Sequence, residues 1–262
     1  MNIFFKSRGA FCGLAALLFV LWPSVNALAG ESAFTNFLAQ GEVAEQRGDV
    51  PSALKSYAAA DALRSTNCAD LCLLTRRYCD LMHLASSPDT QKILAERALS
   101  AALRAVQADP KNAVARLCVA VSYVKNFPYT DNRTKVKWSK AIKAECEAAI
   151  ALDPKQDVGY YLLGRWHVGV SEMNFFVREI VKIVYGGLPK ASYAEAIDNF
   201  KKAIALAPDR IIHHLELGKV YAATGEQKLA QTELEKCRTL KPVDRDDSAA
   251  QTEAATLLLK LR

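Results

Sequence analysis

Along most of the chain apolar side chains recur at spacings of three and four, alanine fills many of the places between them, and polar residues hold the remaining face. That periodicity predicts amphipathic helices, and no stretch alternates with the period of two that a half-buried strand requires. Proline closes one helical segment after another, at Asp109-Pro110, Asp153-Pro154, Ala207-Pro208 and Lys241-Pro242, because it cannot continue a helix. Gly48-Asp49 and Gly225-Glu226 mark turns between helices, where glycine supplies a left-handed helix end.

The interval from Pro208 to Pro242 is 34 residues, the period of a tetratricopeptide unit. Inside it His214, Leu217, Gly218 and Tyr221 fall on a first helix and Ala230 and Leu234 on a second. The same order can be traced backwards. Tyr160, Leu163, Gly164 and His167 precede Ala196, Phe200 and Ala203; Arg116, Val119, Ala120 and Tyr123 precede Ile142, Cys146 and Ala149. Leu71, Leu74, Thr75 and Tyr78 precede Ala98, Ala102 and Ala105, and Phe37, Gly41 and Ala44 precede Ala53, Tyr57 and Ala60. A small residue where two helices cross lets their backbones approach, while Tyr and Phe fill the gap to the next unit, so stability comes from stacking. The expected fold is an all-α, tetratricopeptide-like solenoid of about five helix pairs, with units at 34–67, 68–112, 113–156, 157–210 and 211–244. A capping helix is expected at 246–261. The second, third and fourth units carry 11, 10 and 20 residues beyond the period.

The fourth unit holds more than generic repeat residues. Leu162-Leu163-Gly164-Arg165-Trp166, then Val184-Tyr185-Gly186-Gly187-Leu188-Pro189-Lys190-Ala191-Ser192-Tyr193, then Glu195-Ala196-Ile197 resemble the regulator of microtubule dynamics family, as do Lys135-Val136-Lys137-Trp138-Ser139 and Ile142-Lys143 upstream. The similarity spans roughly 113–242. It implies a tetratricopeptide adaptor. Eukaryotic relatives associate with microtubules and spindle poles, and one membrane-anchored relative tethers mitochondria to endoplasmic reticulum and binds phospholipid through its repeats.

The chain departs from that family at its start. Lys6 and Arg8 form a basic n-region, 10–21 an apolar stretch, and Ala27-Leu28-Ala29 a small-x-small cleavage signature, which together predict a signal peptide over 1–29 cut between Ala29 and Gly30. Residues 30–262 are then one solenoid domain, exported to a periplasm or secreted. The rival expectation is an uncleaved membrane anchor over the uncharged run 9–30, which Pro23, Ser24 and Asn26 interrupt. An exported protein does not meet tubulin, so the resemblance carries over a binding role and not a cytoskeletal one.

Charge and chemistry narrow the picture further. Cleavage removes Lys6 and Arg8 and takes the formal net charge from +6 to +4, with no basic stripe of the kind nucleic-acid binders show. No P-loop, dinucleotide fingerprint, nucleophile elbow or H-E-x-x-H pairing is present. Neither a catalytic site, a cofactor nor a metal is therefore expected. Cys68, Cys72 and Cys79 share one side of a helix but form no C-x-x-C pair, and disulfide, free thiol and ligand stay open for Cys72 and Cys79. Cys146 and Cys237 read as small packing residues. The pairing of the six cysteines in the exported chain has fifteen complete solutions.

The concave side of such a solenoid is lined by the first helix of each unit. Phasing puts Arg76, Lys125, Tyr161, Arg165 and Lys219 there as candidate ligand-binding residues, in a groove otherwise apolar at Leu38, Cys72, Leu117, Leu215 and Val168. Spaced cations over apolar surface suit a protein or peptide partner with acidic groups, or an anionic phospholipid as the alternative; ordinary solvated charges are the bland reading. The insertion 171–190, with Phe175, Phe176, Ile180, Ile183 and Val184, reads as an amphipathic helix extension. It can touch a membrane, close one end of the groove, or pack on its own solenoid, the usual fate of an apolar stripe.

Overall fold

A computed structural model describes residues 33–63 and 65–261. The predicted signal segment and its Ala29–Gly30 cleavage site lie outside the described residues. The described chain is all helix and turn: twelve α-helices and a single 3-10 turn at Phe127–Tyr129, and no strand among the described residues. It divides into two compact units, one reaching Tyr129 and the other starting at Thr130.

The first unit holds α1 (Ala33–Gln46), α2 (Val50–Ala62), α3 (Cys68–Leu81), α4 (Pro88–Ala108) and α5 (Ala113–Asn126). Each of α2 to α5 starts where a side chain meets the orphan amides of the first turn. Asp49 accepts from the Ser52 amide at 3.1 Å, Asn67 from Ala69 at 2.8 Å and Asn112 from Ala115 at 3.0 Å, while Ser87 caps α4 ahead of Pro88. Gly41 crosses Tyr57, leaving no room for a Cβ. The Tyr57 hydroxyl donates to Glu45 at 2.7 Å, and its ring meets Tyr78 of α3 edge-on at 6.3 Å. Thr75 takes the crossing position in the next pair and donates to its own Leu71 carbonyl at 2.8 Å.

The second unit holds α6 (Asn132–Leu152), α7 (Asp157–Ser171), α8 (Phe175–Tyr185), α9 (Tyr193–Leu206), α10 (Ile211–Ala223), α11 (Gln227–Thr239) and α12 (Asp247–Lys260). Trp166 fixes α7 to α6 by donating to the Ser139 carbonyl at 2.8 Å. Gly164 lies under Phe200 and Gly218 under Leu234, the same small-under-large crossing in two successive pairs. Gly225 turns α10 into α11 with φ 84°, and Gly48 turns α1 into α2 with φ 72°, a region glycine enters without steric cost. The expected cap is present as α12. Asp247 accepts from the amides of Val243 at 2.8 Å and Asp244 at 2.7 Å, and Ala250, Ala254 and Leu258 are buried.

The residues beyond the repeat period have a clear destination. In the second and third predicted repeats they lengthen the second helix: α4 and α6 run 21 residues, against 13 for α2 and α11. In the fourth they build α8, and here the expectation needs correction. The insertion is a separate helix and not an extension of α7. Arg178 donates to the carbonyls of Ser171 and Met173 at the α7 end, Asn174 caps a fresh start with 2.9 Å to the Val177 amide, and Gly186 stops it in the left-handed conformation. Nor does its Phe-rich face pack. Val177, Val181 and Tyr185 meet Val136 of α6, whereas Phe175, Phe176, Ile183 and Val184 are exposed.

Candidate functional site

The residues expected along the groove are placed by their helices but are not free cations above an apolar floor. Arg165, on α7, is 7% exposed and pairs with Glu216 of α10 at 2.5 Å. Lys219, one turn on from Glu216, donates to it at 3.1 Å and to Glu253 of α12 at 2.9 Å. The result is an ion-pair network linking α7, α10 and α12. Tyr161 is fully buried and packs against Phe200 and His213 at ring separations of 6.1 and 5.2 Å. In the first unit Arg76 pairs with Asp80 at 3.4 Å, and Lys125 is buried with its ammonium 3.4 Å from the His83 Nε2.

The charge logic of the network follows from burial. Burial opposes ionisation of Glu216, but the Arg165 and Lys219 charges outweigh it and hold the carboxyl below the usual glutamate range. Burial likewise opposes the Lys219 ammonium, and Glu216 and Glu253 reverse that, raising its pKa. Both partners are therefore charged in the fold. An incoming anion would compete with a carboxylate already seated between the two cations.

Around this network a cleft of about 80 Å³ opens, lined by Val168 of α7 and Glu172 at its C-terminal cap, Tyr193 of α9, and Lys219, Val220 and Ala223 of α10, with Arg165 and Glu216 also contributing. Glu172 and Ala223 are exposed. Apolar and polar surface alternate here, with both signs of charge. Glu216, Glu253 and Tyr193 were missed as site residues. The available signal was Glu216 itself, a single carboxylate in the apolar run Ile211-Ile212-His213-His214-Leu215-Glu216-Leu217 and three residues before Lys219.

The histidines serve packing and helix ends. His213, fully buried, lies 2.9 Å from Asp157 in the first turn of α7, and Arg210 flanks the same carboxylate at 3.3 Å. Burial lowers the His213 pKa and Asp157 only partly offsets this, so the ring is neutral and donates through Nε2. Once unfolded it protonates below about pH 6.5, so the unfolded chain binds more protons and stability falls with pH through that window. Unfolding free energy measured in urea should decline below about pH 6.5, and His213→Gln, which keeps a donor toward Asp157, should flatten the decline. A profile unmoved by the substitution would contradict this assignment.

The six described cysteines are thiols, five of them buried. Burial pushes the Cys79 thiol up to about 12 and that of Cys237 to about 12, the opposite of what a reactive thiolate needs. Cys68, Cys72 and Cys118 meet in one apolar cluster between α3, α4 and α5. No group of three or more His, Cys, Asp or Glu suited to a metal occurs among the described residues, and no described helix is long and apolar enough to cross a membrane.

Comparison with known proteins places this geometry. The mouse regulator of microtubule dynamics protein 1 is 31% identical over 190 residues, covering 72% of this chain and 62% of its own length. Regulator of microtubule dynamics protein 2 of Macaca fascicularis is 28% identical over 190 residues, covering 71% of this chain and 46% of its own. The chain thus spans about half to three fifths of the relatives it matches. Among solved structures, TTC0263, a thermophilic TPR protein of Thermus thermophilus, superposes with a TM-score of 0.60 at 17% identity over 85% of this chain and 99% of that one. PilF of Pseudomonas aeruginosa gives 0.52 at 13% identity over 87% and 91%. These likenesses show a tetratricopeptide-like α-solenoid fold. The profile of the regulator of microtubule dynamics protein 1-3 family matches residues 36–262, and the chain belongs to that family.

Proposed function

We propose that the protein is a non-catalytic scaffold that binds a segment of a partner protein in the cleft between α7, α9 and α10, in the exported compartment that its N-terminal segment implies. The single observation that carries this is the cleft's composition: Val168, Val220 and Ala223 offer apolar contact, and Glu172 and Lys219 offer opposite charges at its walls. Such a lining suits a peptide segment with an apolar anchor and mixed polar groups. A purely anionic ligand gains little there, because Glu216 and Glu253 already balance the charges of Arg165 and Lys219.

The test is a substitution that fills the cleft and leaves the network intact. Ala223→Arg, at an exposed helix end, should leave the urea-unfolding midpoint within error of the parent and weaken capture of the partner by about tenfold or more, the scale expected when an interface anchor is blocked. Capture that is equal for parent and variant would overturn the cleft as the binding site.

A further inference from the structure

The exposed face of α8 has no role in the cleft. We infer that it docks the protein on an anionic bilayer surface, with the α6 cations engaging lipid phosphates. Phe176 and Ile183 are 77% and 79% exposed, Phe175 and Val184 are exposed beside them, and the two phenylalanine rings meet in a T-shaped arrangement with centroids 5.9 Å apart. Two large rings held out in water at the start of a helix cost solvation free energy that a soluble surface normally avoids. The opposite side of α8 is occupied, since Val177, Val181 and Tyr185 pack on Val136. The helix is therefore fixed in orientation with its Phe-rich side outward.

Charge chooses the occupant. Beside Val184 and Tyr185 a cleft of about 430 Å³ is lined by Arg133, Lys137 and Lys140 of α6 over Val136. Arg133 and Lys137 are exposed, and neither forms an ion pair among the described residues. Lys140 donates to the Tyr185 carbonyl at 3.3 Å, at the end of α8, and Lys182 adds a further exposed cation. The nearby carboxylates are Glu179, half-buried on α8, and Asp131, which is engaged in capping α6 through Thr134. Apolar side chains flanked by cations match a membrane interface, where the apolar face enters the headgroup boundary and the cations meet anionic lipid.

Area argues against the rival occupants. An 11-residue helix is about 16 Å long, and one exposed stripe of it falls well short of the roughly 800 Å² per partner that a stable protein interface buries. A second copy would also bring Arg133, Lys137 and Lys182 against their own duplicates. A bilayer needs no opposing wall and carries the complementary charge.

The test is hydrogen exchange on the full chain with and without vesicles, which locates the contact whatever residues 1–32 do. With vesicles of phosphatidylcholine plus phosphatidylglycerol, exchange should slow over 175–185 and 133–140. It should be unchanged with phosphatidylcholine alone, and the slowing should fade as salt is raised. Phe176→Ser/Ile183→Ser should weaken the α8 response by about tenfold or more, and Arg133→Glu/Lys137→Glu should abolish the preference for anionic lipid; both pairs are exposed, and unchanged circular-dichroism melts will show the fold intact. Vesicle binding that leaves 175–185 unprotected would overturn the inference. So would protection of 175–185 without lipid that rises with protein concentration, which assigns the face to a second copy, or protection already complete without lipid at any dilution, which assigns it to the chain's own residues. Because the Ala223 cleft is untouched by these variants, either reading can fail without the other.

Discussion

Glu216→Ala lowers the free energy of unfolding by about 3–5 kcal/mol, the scale on which one partner of a buried ion pair is missed. Glu216 is 2% exposed and lies between Arg165 and Lys219. Its removal leaves the Arg165 guanidinium, itself 7% exposed, buried without its carboxylate. Replacing both partners by apolar residues of similar size, Arg165→Met with Glu216→Leu, should recover most of the loss, because the desolvation cost of both charges disappears with their attraction. Urea titration at neutral pH, followed by tryptophan fluorescence, reads the right part of the molecule, since Trp138 and Trp166 both belong to the unit that contains the pair. The same pair contributes to the acid limb. Glu216 ionises more readily in the fold than in the open chain, so its contribution is complete above the unfolded glutamate pKa of about 4.3 and is lost as pH falls through the lower folded value. A wild-type-like midpoint for Glu216→Ala would show that the network does not hold α7 to α10.

Phe200→Ala costs about 3–5 kcal/mol, as deletion of a fully buried aromatic side chain does. The informative part is its coupling to Gly164. A Cβ at Gly164 would sit 2.7 Å from the Phe200 Cε1, closer than any relaxed contact, so Gly164→Ala in the parent costs about 1–3 kcal/mol as overpacking. With Phe200 already truncated the obstruction is gone. Gly164→Ala then gains the helix propensity that glycine lacks, about 1 kcal/mol, and the sign of its effect reverses. A double-mutant cycle measures this. Additive costs would mean that the crossing of α7 and α9 is not set by the glycine–phenylalanine contact.

That crossing is also the part of the molecule most readable in sequence. Gly41 with Tyr57, Gly164 with Phe200 and Gly218 with Leu234 each pair a small residue on a first helix with a large one on the second. The requirement is local to one helix pair and recurs with the repeat, so spacing reveals it. The turns at Gly48 and Gly225 and the cap α12 are readable for the same reason. Arg165 and Lys219 could be placed on their helices, but not their neutralisation. Whether Arg165 faces solvent or a carboxylate depends on Glu216, 51 positions away on a different helix, and no periodicity records such a pairing. Likewise the apolar count of the 171–190 insertion predicts a helix with a greasy side, yet which side is covered is decided by Val136 on α6. Val177 and Val181 are the residues that packed, and Phe176 and Ile183, the larger ones, stayed out.

Burial of the Arg165–Glu216 pair also bears on how binding is tested. Arg165→Glu would set two carboxylates together in the interior and unfold the site, so loss of a partner in that variant would carry no information about recognition. Exposed positions are needed. The most direct measurement is a photo-crosslinking amino acid at position 223, at the mouth of the cleft, against one at the exposed position 229 on α11, in cells that make the protein. Binding in the cleft between α7, α9 and α10 predicts a discrete protein adduct from 223 and none from 229. Equal adducts from both positions, or none from 223 with the protein folded and abundant, would contradict it.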